Sequence, residues 1–285
     1  MNRFALLLIF LTVLSACNPW ISDGVRKRDL KRDVELITDK GSIIFRLYDE
    51  TPLHRNNFLK LVNQSFYDSI IFHRVINNFL IQTGDSESKK AQAEASLGNG
   101  ELPYVIPTEI NKKYFHKRGA VNAARTGDLD NPEQASSSTQ FTFIQRKALS
   151  DSLINLGEKR INYYRAYNNV VRNSVNQKLV GRLRKLSLAE SKNDSLPILE
   201  SRLNDLVKIE LAQMIPYRIP EEHRQVYRTI GGSPHLDQNY TVFGEVLKGM
   251  DVVDRIAGVE TRKTDDRPLK DVRIIKVRLI KRKQY

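Results

Sequence analysis

The sequence predicts a mainly β protein: a closed antiparallel barrel capped by two helices and interrupted by an inserted helical hairpin. Three observations carry that expectation. Short segments with period-two alternation recur over residues 34–145 and again after Tyr240, separated by turn residues. The last of them, 272–280, alternates strongly and can pair with the first, closing the sheet and removing its edges. Over residues 146–230 the apolar spacing shifts to three and four, which is helical.

The elements follow in order. Residues 34–38 alternate as a strand, Asp39-Lys40-Gly41 makes a hairpin turn, and 42–48 return with Ile43, Phe45 and Leu47 on one face. Thr51 and Pro52 suit the N-cap and first position of a helix whose inner residues are Phe58, Leu59 and Val62. A turn at Tyr67-Asp68-Ser69 leads into strands at 70–75 and 79–82. Residues 86–102 are polar and carry Gly98 and Gly100, so they read as loop; 111–117 read as a short polar or helical piece. Strands follow at 119–124 and 140–145, with a loop rich in Asp, Asn and Ser over 125–138.

In the insertion, the stripe Ile161, Tyr164, Tyr167, Val171, Val175, continued to Leu186, predicts one long amphipathic helix, weakened near its end by Gly181. Pro197 marks a break and restart. Leu199, Leu203, Leu206, Ile209 and Ala212 then predict the inner face of a second helix, and a short third one begins near Pro220. The chain returns to a strand at 240–246, a helix with Val252, Val253 and Ile256 on one face, and the terminal strand. The expected divisions are 1–16, 17–32, 33–145 with 231–285, and the insertion 146–230.

The 285 residues carry a formal net charge of +13. That balance favours anionic partners, but the basic residues are spread without a long run, so nucleic acid is not an expected partner. Arg3 followed by the apolar run 4–13 has the form of a secretory leader. It ends in Leu14-Ser15-Ala16-Cys17, which resembles a bacterial lipobox. The resemblance implies removal of residues 1–16 and lipidation of Cys17. The mature chain would then be a monomer anchored by its acyl chains on the extracytoplasmic, periplasm-facing side of the cell envelope, with 17–32 as a tether. Cys17 is the only cysteine, so no intramolecular disulfide is available. The five histidines show no metal-ligand spacing, and no cofactor is expected.

Chemical information is densest over residues 72–85. Arg74, the amides of Asn77, Asn78 and Gln82, and the apolar Phe79, Leu80 and Ile81 close on a Gly84-Asp85 turn. The stretch holds no acid–base pair, no nucleophile with its base, and no metal set.

Taken with Ser138-Thr139-Gln140-Phe141, His235-Leu236-Asp237 and Val242-Phe243-Gly244, this stretch resembles the cyclophilin-type peptidyl-prolyl isomerases over about three fifths of the chain. The resemblance implies an eight-stranded barrel that isomerises X-Pro bonds of envelope or secreted polypeptides without a cofactor. It also implies the site residues. Arg74 would be catalytic. Phe79 and Leu80 would form the floor and wall of a proline pocket. Gln82 and Gln140 would hold substrate backbone beside Ala124 and Arg125, and His235, Leu236 and Tyr240 would complete the rim. Where relatives often carry Phe, this chain has Thr142, and Phe143 is the candidate replacement for that wall. His235 replaces a frequent Trp and Tyr240 a frequent His, both as in bacterial members, which implies weak cyclosporin binding. The alternative reading is a proline-peptide binding or chaperone module of the same fold with little turnover, using the insertion for partners.

Overall fold

Alternation does build the sheet. In the computed structural model, which describes residues 20–22, 24–188 and 194–285, eight segments pair antiparallel: β1 Arg32–Thr38, β2 Gly41–Leu47, β3 Arg74–Ile76, β4 Leu80–Thr83, β5 Ala120–Ala123, β6 Phe141–Ile144, β7 Val242–Lys248 and β8 Ile274–Lys281. Their spatial order is β8-β1-β2-β7-β5-β6-β4-β3. The first hairpin is latched by Thr38, whose hydroxyl donates to the Gly41 carbonyl at 2.8 Å and accepts from the Lys40 N–H at 3.0 Å. Cys17 and the leader lie outside the described residues. From Gly24 onward the expected tether is folded: Val25 is fully buried in the main core, and Asn63 donates to the Gly24 carbonyl.

The expected closed barrel is corrected to a curled half-barrel. Strands β8 and β3 are the two edges of the sheet, and the seam between them has only an isolated bridge at Ile71–Arg273, flanked by bonds such as Phe72 N–H to the Val272 carbonyl at 2.9 Å. The reason is local. Ser69 takes a left-handed φ of 71°, and the chain resumes strand geometry only at Arg74. From Lys276 onward, β8 is committed to β1.

The concave face is filled by rings. Phe45 meets Phe143 edge-to-face at 5.4 Å, and Phe58 meets Phe141 at 5.2 Å. Helices α1 (Pro52–Asn63) and α6 (Met250–Ala257) seal this core with Phe58, Leu59 and Val62 from one side and Val252, Val253 and Ile256 from the other. Each such burial contributes roughly 1.5–3 kcal/mol.

The insertion is more than a hairpin. Among the described residues four helices form it: α2 Asp151–Arg172, α3 Gln177–Ser187, α4 Ser195–Gln213 and α5 Glu221–Thr229. The long helix expected through Leu186 breaks at Asn173, whose side chain accepts from the Val175 N–H and starts a 3-10 turn. Val175 is therefore 85% exposed rather than inward. In α4 the inner line runs through Leu203 and Val207, which leaves Ile209 and Ala212 outside. Tyr164 is also exposed, with consequences for the site.

Candidate active site

Register sets the site. Arg74 of β3 pairs with Gln82 of β4, Gln82 with Thr142 of β6, and Thr142 with Asn122 of β5. Directly opposed residues in adjacent strands point to the same face. These four side chains therefore form one polar row across the convex face. Their neighbours Val75, Ile81, Phe141, Phe143 and Val121 turn inward to the core.

Above this row lies a cavity of about 420 Å³. Phe79 and Leu80 supply its apolar floor, with Leu236 opposite. The 3-10 turn Pro234–Leu236 brings His235 over Phe79, ring centroids 5.4 Å apart and nearly parallel. Burial, then the neighbouring His116 and the guanidinium groups of Arg146 and Arg160, pull the His235 ring down to about 4, so it is a neutral wall at neutral pH. Tyr240 closes another side, with the Arg125 guanidinium 4.7 Å above its ring.

The amides form a relay. Gln82 accepts from Arg74 Nη1 at 3.4 Å and donates to Gln140 Oε1 at 3.0 Å, while Gln140 donates to the Gly98 carbonyl at 2.9 Å. This last contact depends on Gly84, which has φ +103°; a Cβ there would lie 2.2 Å from the Thr139 carbonyl oxygen. Among the described residues, Arg74 is otherwise held only by Asp266 at 3.6 Å. Both contacts are long, so the guanidinium keeps its direction without being consumed.

Most predicted residues meet here. Arg74, Phe79, Leu80, Gln82, Ala124, Arg125, Thr142, His235, Leu236 and Tyr240 line one cavity. Gln140 stands behind Gln82. Phe143 is the exception. It is 0% exposed and packs on Phe45 and Phe141, because period-two alternation puts Thr142 outward and Phe143 inward. The expectation that Phe143 replaces the missing wall is therefore wrong; the wall at that point is Thr142 with Asn122. Arg125 is largely spent on structure, ion-paired to buried Asp128 at 2.7 Å and donating to the Asn239 carbonyl.

Sequence reasoning missed Asn122, Gly127, Asp128, Asn239 and Tyr164 in the lining. Asn122 was findable as the one amide in a strand of small residues. Tyr164 belonged to a stripe that looks like helix packing.

Among the described residues no activated nucleophile lines the cleft. The Thr142 hydroxyl donates to Asn122 Oδ1 at 2.5 Å rather than to a base, and the Asp128 carboxylate is held by Arg125. Fold and site thus define a curled β half-barrel whose outer face carries a cleft with an apolar floor and a polar, cationic rim. Comparison gives the family: the model described as cyclophilin type peptidyl-prolyl cis-trans isomerase/CLD matches residues 33–190 and 220–279, and the chain belongs to that family. A Staphylococcus haemolyticus protein, provisionally named a peptidyl-prolyl cis-trans isomerase, is 24% identical over 255 residues, 89% of this chain and 93% of that one. A Mycosarcoma maydis peptidyl-prolyl isomerase is 37% identical over 102 residues, 35% of this chain and 20% of that one. A solved cyclophilin-type isomerase of Cryptosporidium parvum gives a TM-score of 0.49 at 16% identity, covering 88% of this chain and 99% of that one.

Proposed function

We propose that the cleft seats a proline of an extended polypeptide on Phe79 and Leu80, and that Arg74 accelerates rotation about the preceding peptide bond. Rotation must cross a barrier of about 18–20 kcal/mol, because amide resonance is lost halfway. In that twisted state the prolyl nitrogen regains a lone pair. A permanently charged donor aimed at it binds the twisted state better than either planar form, which is catalysis by differential binding. Gln82 and Gln140, already bonded to each other, hold the substrate backbone. Arg125 and Asp128 keep Tyr240 at the rim. The observation that carries this reading is the register row that sets Arg74 beside Gln82 at the edge of the Phe79–Leu80 floor.

The clients are proline-containing polypeptides of the cell envelope. The protein meets them on the extracytoplasmic side as a monomer held by lipid on Cys17. The leader-like residues 1–16 and the lipobox-like 14–17 support this placement. Intact mass of the mature protein tests it: an acylated Cys17 at the N-terminus is expected, and an unmodified chain beginning elsewhere would overturn it.

A protease-coupled assay on an Xaa-Pro tetrapeptide tests the activity. Cis-to-trans conversion well above the uncatalysed rate is expected. Background conversion by protein that is folded by circular dichroism would instead support the binding-module reading, which the polar Thr142–Asn122 wall favours.

A further inference from the structure

Helix α2 does not merely sit beside the cleft. Gly157 lets it approach the turn that carries His235: a Cβ at that position would lie 2.7 Å from Pro234 Cγ. Two turns further along α2, Tyr164 reaches the wall of the isomerase cavity. The same Tyr164 also lines a second groove of about 490 Å³ between α2 and the end of α4, with Lys159, Arg160, Tyr163, Leu211 and Pro216.

This groove is preformed. The Asn162 side chain donates to the Tyr217 carbonyl at 3.0 Å and accepts from the Tyr217 N–H at 2.7 Å, fixing the segment after α4 against α2. The Tyr163 hydroxyl donates to Asn204 of α4 at 3.1 Å. Its lining is mostly apolar, yet Tyr163 and Leu211 are each 38% exposed. The rim is cationic. Glu158, the acid at the head of this stretch of α2, is committed to Arg218 and Arg224 on the far side. Lys159 and Arg160, which line the groove, have no carboxylate within ion-pair distance among the described residues.

We propose that this groove is a continuation of the isomerase cleft that docks the client chain beyond its X-Pro bond, selecting an apolar side chain flanked by a carboxylate. The occupant follows from two facts. The groove shares Tyr164 with the cleft, so one extended chain can lie across both, and its two cations, without an acidic partner among the described residues, call for an acid. A preformed site loses little on ordering, so the second contact adds affinity to a weak proline grip. Clients with acidic and apolar residues near a proline are thereby favoured over bare X-Pro sequences.

The inference rests on the isomerase reading of the first cleft, and the test separates the two. Turnover of an Xaa-Pro tetrapeptide is compared with that of peptides extended on either side by Glu-Leu-Glu or Lys-Leu-Lys. Anisotropy of the fluorescent extended peptides is read in parallel, using the full chain. The acidic extension should lower KM by roughly tenfold, as a charge-assisted contact plus one buried apolar side chain would. In Lys159→Glu the tetrapeptide rate should be unchanged and the gain from the acidic extension should be lost. Leu211→Glu should remove that gain too. Equal KM for short and extended peptides, with the tetrapeptide still turned over, would overturn the groove alone. No turnover of any peptide, with anisotropy still selecting the acidic extension, would overturn the isomerase reading and leave the groove. Concentration-dependent dimers that Leu211→Glu dissolves would assign the groove to a second copy and overturn client docking.

Discussion

Replacing Asp237 with Ala should unfold the wall of the cleft from behind. Its carboxylate is 2% exposed and accepts three donors: the His116 N–H at 2.9 Å, His116 Nδ1 at 2.8 Å and the Tyr227 hydroxyl at 2.7 Å. His116 belongs to the loop before β5, Tyr227 to α5 at the end of the insertion, and Asp237 to the segment that carries His235 and Leu236. One side chain therefore ties insertion, sheet and cleft together. Each buried donor left without a partner costs about 1–3 kcal/mol. Three of them predict a loss of about 3–9 kcal/mol, a large part of a typical stability of ~5–15 kcal/mol. Asp237→Asn keeps the shape and one good acceptor, so it should cost less than half as much. Urea unfolding followed by far-ultraviolet circular dichroism measures both. Tetrapeptide turnover should fall with the stability, because His235 and Leu236 lose their support. A loss below about 1 kcal/mol for Asp237→Ala would refute the claim that these donors depend on this carboxylate.

Other outcomes follow from the same geometry. Phe143→Ala should cost about 3–5 kcal/mol in urea unfolding through loss of core contacts, and any residual turnover should show an unchanged KM, since Phe143 faces away from substrate. Gly84→Ala should destabilise the chain and raise KM, read in the same two assays, because the Thr139–Gln140 backbone must move to admit the methyl group. Burial holds the His73 and His235 rings neutral, each down at about 4. Unfolded, they return to about 6.5 and bind protons first, so stability is full above that value and falls as pH drops toward 4. Unfolding free energies from urea titrations at pH 5 and pH 7.5 should differ by about 2 kcal/mol for each ring, and His73→Phe should remove its share. Turnover should stay flat from pH 6 to pH 9, because the His235 ring in the cleft is already neutral there.

Local patterns were legible in the sequence and their assembly was not. Alternation placed all eight strands of the main sheet within about two residues of their ends, apart from the 70–75 segment. There, Ser69 interrupts the backbone and strand geometry begins only at Arg74. Barrel closure was over-read because pairing potential between 34–38 and 272–280 says nothing about the other seam. The cleft was legible because its residues alternate out of strands whose partners are core: Arg74 beside Val75, Gln82 beside Ile81, Thr142 beside Phe143. That same rule, applied at residue 143, would have kept Phe143 in the core. The role of Tyr164 was not legible. A helical stripe specifies a face, whereas which neighbour meets that face depends on how closely Gly157 lets α2 approach Pro234.

The proposed mechanism rests on Arg74, and its replacement is the most direct measurement. For Arg74→Ala and Arg74→Lys, kcat and KM on an Xaa-Pro tetrapeptide are taken beside peptide affinity. A contact made only with the twisted bond should show in kcat, with a loss of at least about 100-fold in Arg74→Ala and nearly as much in Arg74→Lys, while affinity for the planar peptide changes little. A folded Arg74→Ala protein that turns over at close to the normal rate would contradict the account at its centre.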